Sequence, residues 1–391
     1  MPEAASPSPF PTAPAPPARP KRRRWPVVLA VLVVGIAVVV VAGRVNLNYY
    51  ALTPGQAQSV DPLIKVPRAL GHRVHGQVLL TDVFVTQLTL LTYLPNKWDS
   101  SADVVPAAEL LGPDTPPDQL TAQGYLEMAQ SQAYAKAAAL TRLGHRVGEQ
   151  NVGVLVYAVQ PGSPADRSLS VGQVVKAAAG TPTPDTCALV GALHHYLPGQ
   201  KVALSVQETT FDDNGTPITG RTVTRTVRLG TNPHPDAPTG CPGVTGRGRA
   251  YLGVELEDQQ HFTYPFPVSV DTSQIGGPSA GLAMTLSIVN KLSTGNITDG
   301  KKVAATGTID PTGAVGDVGG VPQKTLAVEQ AGARVFFVPP GEYKDALSKD
   351  VPSLKIYPVS TLDQALTILR RLGGHVPPAP ATAGVATAAS G

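Results

Sequence analysis

Gly276-Gly277-Pro278-Ser279-Ala280-Gly281 is the stretch whose reading decides the architecture of this chain. Behind it, Leu282, Ala283, Leu286, Val289 and Leu292 recur at the spacing of a buried helix face. Ser279 therefore stands at the N-terminal turn of a helix, at the positive end of its dipole. Backbone N–H groups there have no partner inside the helix. Such amides bind anions and suit the oxyanion formed when a hydroxyl attacks a peptide carbonyl. Gly277, Ala280 and Gly281 are small enough to let a substrate backbone approach. Taken alone, a serine in a Gly-Pro turn reads as a helix cap before it reads as a nucleophile.

A second stretch changes that balance. Gly319-Gly320-Val321-Pro322-Gln323-Lys324 puts a lysine in the first turn of another helix, continued by Leu326, Ala327 and Val328. The helix dipole disfavours a cation at that end, and a dry site disfavours it further. Both effects lower a lysine's pKa toward the value it needs to accept a serine proton near neutrality. An ordinary exposed lysine is the competing reading from the residues alone. Around these two stretches, residues 250–373 read as one α+β domain. Its strands are expected at 251–256, 267–270, 302–308, 334–338 and 354–359, and its last helix at 362–372.

This domain resembles the proteolytic domain of Lon proteases, and more closely the Lon-like proteases that carry a PDZ domain behind a membrane anchor. The resemblance rests on GPSAG at 277–281, on Thr306-Gly307 at a strand end, and on Gly319-Gly320 followed by Lys324. It implies a serine endopeptidase in which Ser279 is the nucleophile and Lys324 the base of a Ser-Lys dyad. Thr306 orients the amine, and Gly277 and Ala280 support the turn. The acidic residue that often precedes GPSAG in ATP-dependent Lon is Gly276 here. No GxxxxGK[ST] phosphate loop occurs in the sequence, so neither an ATPase module nor ATP as a partner is expected. Relatives with this catalytic domain form rings, which implies a homo-oligomer.

Upstream, residues 146–231 change to short strands and turns: Gly153-Val154-Leu155-Val156, the turn Gln160-Pro161-Gly162-Ser163-Pro164-Ala165, a helix near 186–196, and strands at 199–206 and 222–229. This order resembles a PDZ domain, although Gln173 stands where that family usually has an acidic residue. The resemblance implies that amides around Gly153, Val154 and Leu155 receive a chain-terminal carboxylate while an extended peptide adds to a sheet edge. A spacer without binding function is the competing reading. Residues 232–249, rich in Pro, Gly and Thr, read as a linker. Residues 45–145 read as a small α+β segment ending in a helix at 118–143, a platform without evident chemistry.

At the N-terminus, Arg19, Lys21, Arg22, Arg23 and Arg24 precede an uncharged apolar run over 25–42. A bilayer core takes about 20 residues of helix, so the run is long enough to cross it and contact membrane lipid. With only Arg44 basic directly after it, the rule that basic flanks stay inside puts residues 1–24 in the cytoplasm as a disordered tail. Everything beyond the run is then extracytoplasmic, on a single-pass anchor in the cell membrane. A cleaved signal peptide and a buried core helix are the alternatives. Residues 374–391 read as a second disordered tail.

The remaining chemistry is sparse. A formal net charge of +3 over 391 residues gives no basic character pointing to nucleic acid. No His/Cys/acidic cluster has metal-ligand spacing, so neither metal nor cofactor is expected. Cys187 and Cys241, the only cysteines, both fall on the expected outer side, where a bridge between them would persist. The fold class expected is α+β multidomain: a transmembrane helix, a small α+β segment, a PDZ-like β domain and a Lon-type proteolytic domain. The function expected is ATP-independent cleavage of unfolded or peptide-like extracytoplasmic proteins, with the PDZ-like domain presenting them. A catalytically silent scaffold that binds protein C-termini is the alternative, and hydrolysis of another bond is a third reading.

Overall fold

The computed structural model describes residues 25–111, 116–234, 240–242, 244, 250–272, 275–293, 295–349 and 351–380. The expected tail 1–24, most of the second tail and much of the linker lie outside these residues. In chain order the elements are α1 (Trp25–Arg44), β1 (Asn46–Ser59), β2 (Gln77–Thr89), α2 (Tyr93–Trp98), β3 (Asp103–Pro106) and α3 (Pro117–Arg142). Then come β4 (Gly148–Val159), β5 (Val174–Ala178), α4 (Thr186–Leu193), β6 (Lys201–Phe211), β7 (Pro217–Arg228) and β8 (Val254–Thr263). The last part holds α5 (Gly281–Leu292), β9 (Lys302–Ala305), β10 (Thr308–Ile309), β11 (Val315–Gly316), α6 (Val321–Gln330), β12 (Val335–Val338), β13 (Lys355–Pro358) and α7 (Leu362–Arg371).

One six-stranded sheet has the order β13-β12-β9-β2-β1-β3. Its β13, β12, β9 and β2 are mutually parallel, and β1 runs antiparallel to both β2 and β3. Residues 45–145 were expected to fold as a separate segment, and here the structure differs. Gln77, Val78 and Leu79 of β2 pair with Lys302, Val303 and Ala304 of β9, and α3 packs along α5. The run Val78-Leu79-Leu80 explains why. Val78 and Leu80 enter the core beneath α3, α5 and α7, while Leu79 faces the opposite core with Val321 and Val328 of α6. A strand apolar on both faces needs cover on both, which only the interior of a layered sheet provides.

The second sheet has the order β8-β4-β5-β6-β7, with a short strand at 181–182 on β5, around a core of Val154, Val156, Leu189, Leu204 and Val227. The expected strand at 251–256 was assigned to the proteolytic domain. It runs on to Thr263 as β8 and pairs antiparallel with β4, so it belongs to this second sheet. Gly148 and Thr263 are cross-strand partners. The whole second sheet thus leaves and re-enters the first domain at one point. Cys187 on α4 is bonded to Cys241 in the segment between β7 and β8.

Of the described helices, α1 alone is long and apolar enough to cross a membrane. Val27–Arg44 has a mean hydropathy of 2.8 and buries none of its length against the protein.

Candidate active site

Ser279 lies in a single 3-10 turn, Pro278–Ala280, that leads into α5. Gly277 before it has φ +86°, in the region that side-chain-bearing residues avoid, which is why the turn opens with glycine. The Gly277 amide donates to Gly124 O on α3 (2.8 Å), and Ser131 Oγ of the same helix donates to Pro278 O (3.0 Å). The α3 helix, which carries no chemistry in the sequence reading, therefore holds the turn.

The other side of the turn is tied to the strand end predicted to matter. Gly307 N donates to Ser279 O (3.0 Å), and Thr306 Oγ1 approaches the same carbonyl at 3.4 Å. Thr306 N in turn donates to Phe337 O on β12 (3.0 Å). Leu282 N was among the amides expected to be open to an oxyanion, but it donates to Gly307 O (3.1 Å). That leaves the turn's own amides, Ser279 and Ala280, for such a role. Ala280 is buried and Ser279 half-buried.

Lys324 comes from the opposite layer. Gly320 caps α6 with φ +69°, and a side chain at that position would meet Val83 of β2 at 2.9 Å. This close approach lays the first turn of α6 on the sheet and leaves Lys324 2% exposed. Burial is the main cause that pushes its ammonium down to about 8, against the opposing pull of Glu342 and Asp82. The 3-10 turn and α6 both pack on β2. Among the described residues no hydrogen bond joins Ser279 Oγ to Lys324 Nζ. Bonds of this kind often tighten only with substrate bound.

Three further residues surround the lysine, and sequence reading missed them. Asp82 on β2 accepts from the Gln56 amide of β1. Glu342 follows β12; one oxygen accepts from Val318 N (2.9 Å), and the other is buried without a partner among the described residues. Burial raises its pKa above the usual carboxylate range. Thr81 is 2% exposed and its hydroxyl likewise lacks a partner. Leu79, Thr81 and Val83 alternate onto the face covered by α6. The β2–β9 register pairs Leu79 with Ala304; two residues further it sets Thr81 beside Thr306. Their signal in sequence is only the two-residue period of a strand whose partner was unknown.

A cleft of about 380 Å³ adjoins the turn, lined by Pro278, Val315, Tyr157 and the carboxylates of Glu127, Glu257 and Asp310. A larger one, about 520 Å³, lies between α3 and the second sheet and does not include Ser279 or Lys324 in its lining. The residues expected to bind a peptide terminus, Gly153, Val154 and Leu155, are not available for it. They sit in β4, an interior strand. Val154 and Leu155 pair with Asp258 and Glu257 on one side and with Val175 and Val174 on the other, and Gly153 N donates to Pro184 O (3.1 Å).

Residues 269–370 match the family model of the Lon protease (S16) C-terminal proteolytic domain. The Lon protease of Rickettsia bellii is 34% identical over 122 residues, 30% of this chain and 15% of that protein. Lon protease 2 of Bacillus subtilis is 33% identical over 116 residues, 29% of this chain and 20% of that protein. The chain thus spans only a fifth or less of these curated relatives. Among solved structures, the PDZ domain of an SdrC-like protein from Listeria monocytogenes is similar over 27% of this chain and 87% of that one, at 15% identity and a TM-score of 0.20. Residues 269–370 of this chain carry the C-terminal proteolytic domain of the Lon protease family.

Proposed function

We propose that this chain is a membrane-anchored serine endopeptidase that uses Ser279 as nucleophile and Lys324 as general base, without ATP. The observation that carries this reading is the burial of Lys324. A lysine 2% exposed and pushed down to about 8 is neutral in a substantial fraction of molecules near physiological pH. Neutral Lys324 takes the Ser279 Oγ proton as Oγ bonds to the peptide carbonyl carbon, and the oxyanion faces the amides of the 278–280 turn. The ammonium then gives that proton to the departing amine as the C–N bond breaks. Water enters, Lys324 removes its proton, and the acyl group leaves Ser279. Thr306 keeps the strand end in register with the turn, so nucleophile and base approach from fixed layers.

The α1 helix is the anchor, and the basic residues before it keep that end cytoplasmic. The Cys187–Cys241 bond suits an oxidising compartment outside. A polypeptide presented by the PDZ-like sheet adds to β8 rather than to β4, because the outer edge of β8 is unpaired among the described residues and α4 lies against it. Lacking an unfolding motor, the enzyme cuts unfolded or peptide-like chains, and it works as a homo-oligomer.

The test is cleavage of an unfolded protein by the full chain in vesicles, with ATP removed by apyrase. Wild type cuts it, and Ser279→Ala and Lys324→Met do not. Cleavage that survives either substitution overturns the dyad. Peptide binding with no cleavage by any form supports the scaffold reading instead.

A further inference from the structure

An apolar surface lies where the folded part meets α1. Beyond the end of β2, Leu90 N donates to Val45 O (3.1 Å) and Leu91 N to Ala42 O (3.2 Å), in the last turn of α1. The Leu91 side chain reaches Gly43, where an added Cβ would meet it at 3.7 Å. The start of the 90–98 segment is therefore fixed level with the end of the apolar span.

The short helix α2 continues from there. Leu91, Leu94 and Trp98 fall at i, i+3 and i+7, the spacing of one helix face. All three are turned to solvent, 46%, 52% and 79% exposed, and Leu90 beside them is 53% exposed. The opposite side is rooted in the protein: the Tyr93 ring meets Tyr49 of β1 edge-on at 5.3 Å, and Lys97 Nζ sits 5.7 Å from the Tyr93 ring centre. Single exposed leucines are ordinary, but four large apolar groups together on one rooted face are not.

We propose that α2 lies in the headgroup–acyl boundary of the same bilayer that α1 crosses, with Leu90, Leu91, Leu94 and Trp98 against lipid. The occupant is a lipid surface because the backbone ties this face to the end of a span whose own side chains face no protein. An indole at that depth keeps its ring in the apolar boundary and its N–H in water. This rests on reading α1 as a membrane span. A single helix would let the catalytic part swivel. A second attachment at the far end of β2, the strand that also carries Asp82, sets the domain's orientation to the membrane and favours chains held close to it.

The sequence has two tryptophans, Trp25 and Trp98, so each can be watched alone. The full chain with Trp25→Phe is reconstituted in phosphatidylcholine–phosphatidylglycerol vesicles whose acyl chains are brominated near the headgroup. Trp98 fluorescence is expected to fall about twofold or more, and less with bromine near the chain ends. Adding Leu91→Ser and Leu94→Ser should relieve most of that quenching. The Trp98→Phe protein reports Trp25 and hence α1. Quenched Trp25 with unquenched Trp98 overturns the proposal and leaves the anchor standing; neither quenched overturns both. Unquenched emission that turns blue as protein concentration rises assigns the face to a second copy, which also overturns the proposal.

Discussion

Lys324 shows the opposition between stability and chemistry at a single residue. Its proton leaves the folded protein near 8 but leaves the unfolded chain near the ordinary 10.5. Between these values the unfolded chain binds more protons, so stability rises with pH across that window, and the full cost of the buried cation is present below it. Lys324→Met should abolish cleavage yet raise stability at pH 7 by up to ~3 kcal/mol, a gain that fades as pH approaches 10.5. Urea unfolding at a series of pH values measures it, and an inactive variant of lowered stability at pH 7 would contradict the burial argument. Thr81 offers the matching test. Beside Thr306 and beneath α6, its hydroxyl is an acceptor for the ammonium formed when Lys324 takes the serine proton. Thr81→Val should lower kcat about tenfold and move the acid limb of the pH profile down by about one unit, because the charged form loses an acceptor. Its Tm should hold or rise, since an unpaired buried hydroxyl has gone. Restoration by Thr81→Ser separates this from simple repacking.

At the scale of elements, helix α4 depends on one covalent tie. The Cys187–Cys241 bond closes a span of 54 residues, worth up to about 4 kcal/mol by loop-closure entropy. Cys187→Ser should lower the unfolding midpoint of the second sheet while the cleavage of short peptides persists; loss of both together would mean that the sheets unfold as one. The helices were the most legible elements in the sequence. The period of Leu282, Leu286 and Val289 placed α5, and the stretch expected as helix over 118–143 is α3 within a residue at each end. Strand partners were not legible. Val78-Leu79-Leu80 announces a strand, but only the fold reveals that β9 lies beside it. The same limit put the peptide site on Gly153–Leu155. Apolar alternation marks β4 as a strand without saying that β8 and β5 already flank it.

Across the whole molecule, the order of domains in sequence differs from their order in space. The first hundred residues after α1 complete the catalytic sheet, and the PDZ-like sheet is inserted between α3 and the serine turn. Ser279 and Lys324 were legible because their motifs are local: a Gly-Pro turn before one helix and a Gly-Gly cap before another. Thr81, Asp82 and Glu342 were not, because the contacts that recruit them span the inserted sheet. Since Gly148 and Thr263 are adjacent across β4 and β8, replacing 148–263 by a short Gly-Ser linker should leave a folded protein that still cuts small peptides. Removing 45–145 should unfold the catalytic part, as judged by circular dichroism and Tm. A folded, active product of the second deletion would contradict the shared sheet.

The central claim, a serine activated by a buried lysine, is tested most directly by the pH dependence of covalent labelling. Intact-mass and peptide mass spectrometry would follow acylation by an activated phosphonate ester. The label should fall on Ser279, with a rate that rises through a midpoint near pH 8 in the wild type and collapses by about 1,000-fold or more in Lys324→Met. Labelling of another residue, or a Ser279 rate that Lys324→Met leaves unchanged, would contradict it.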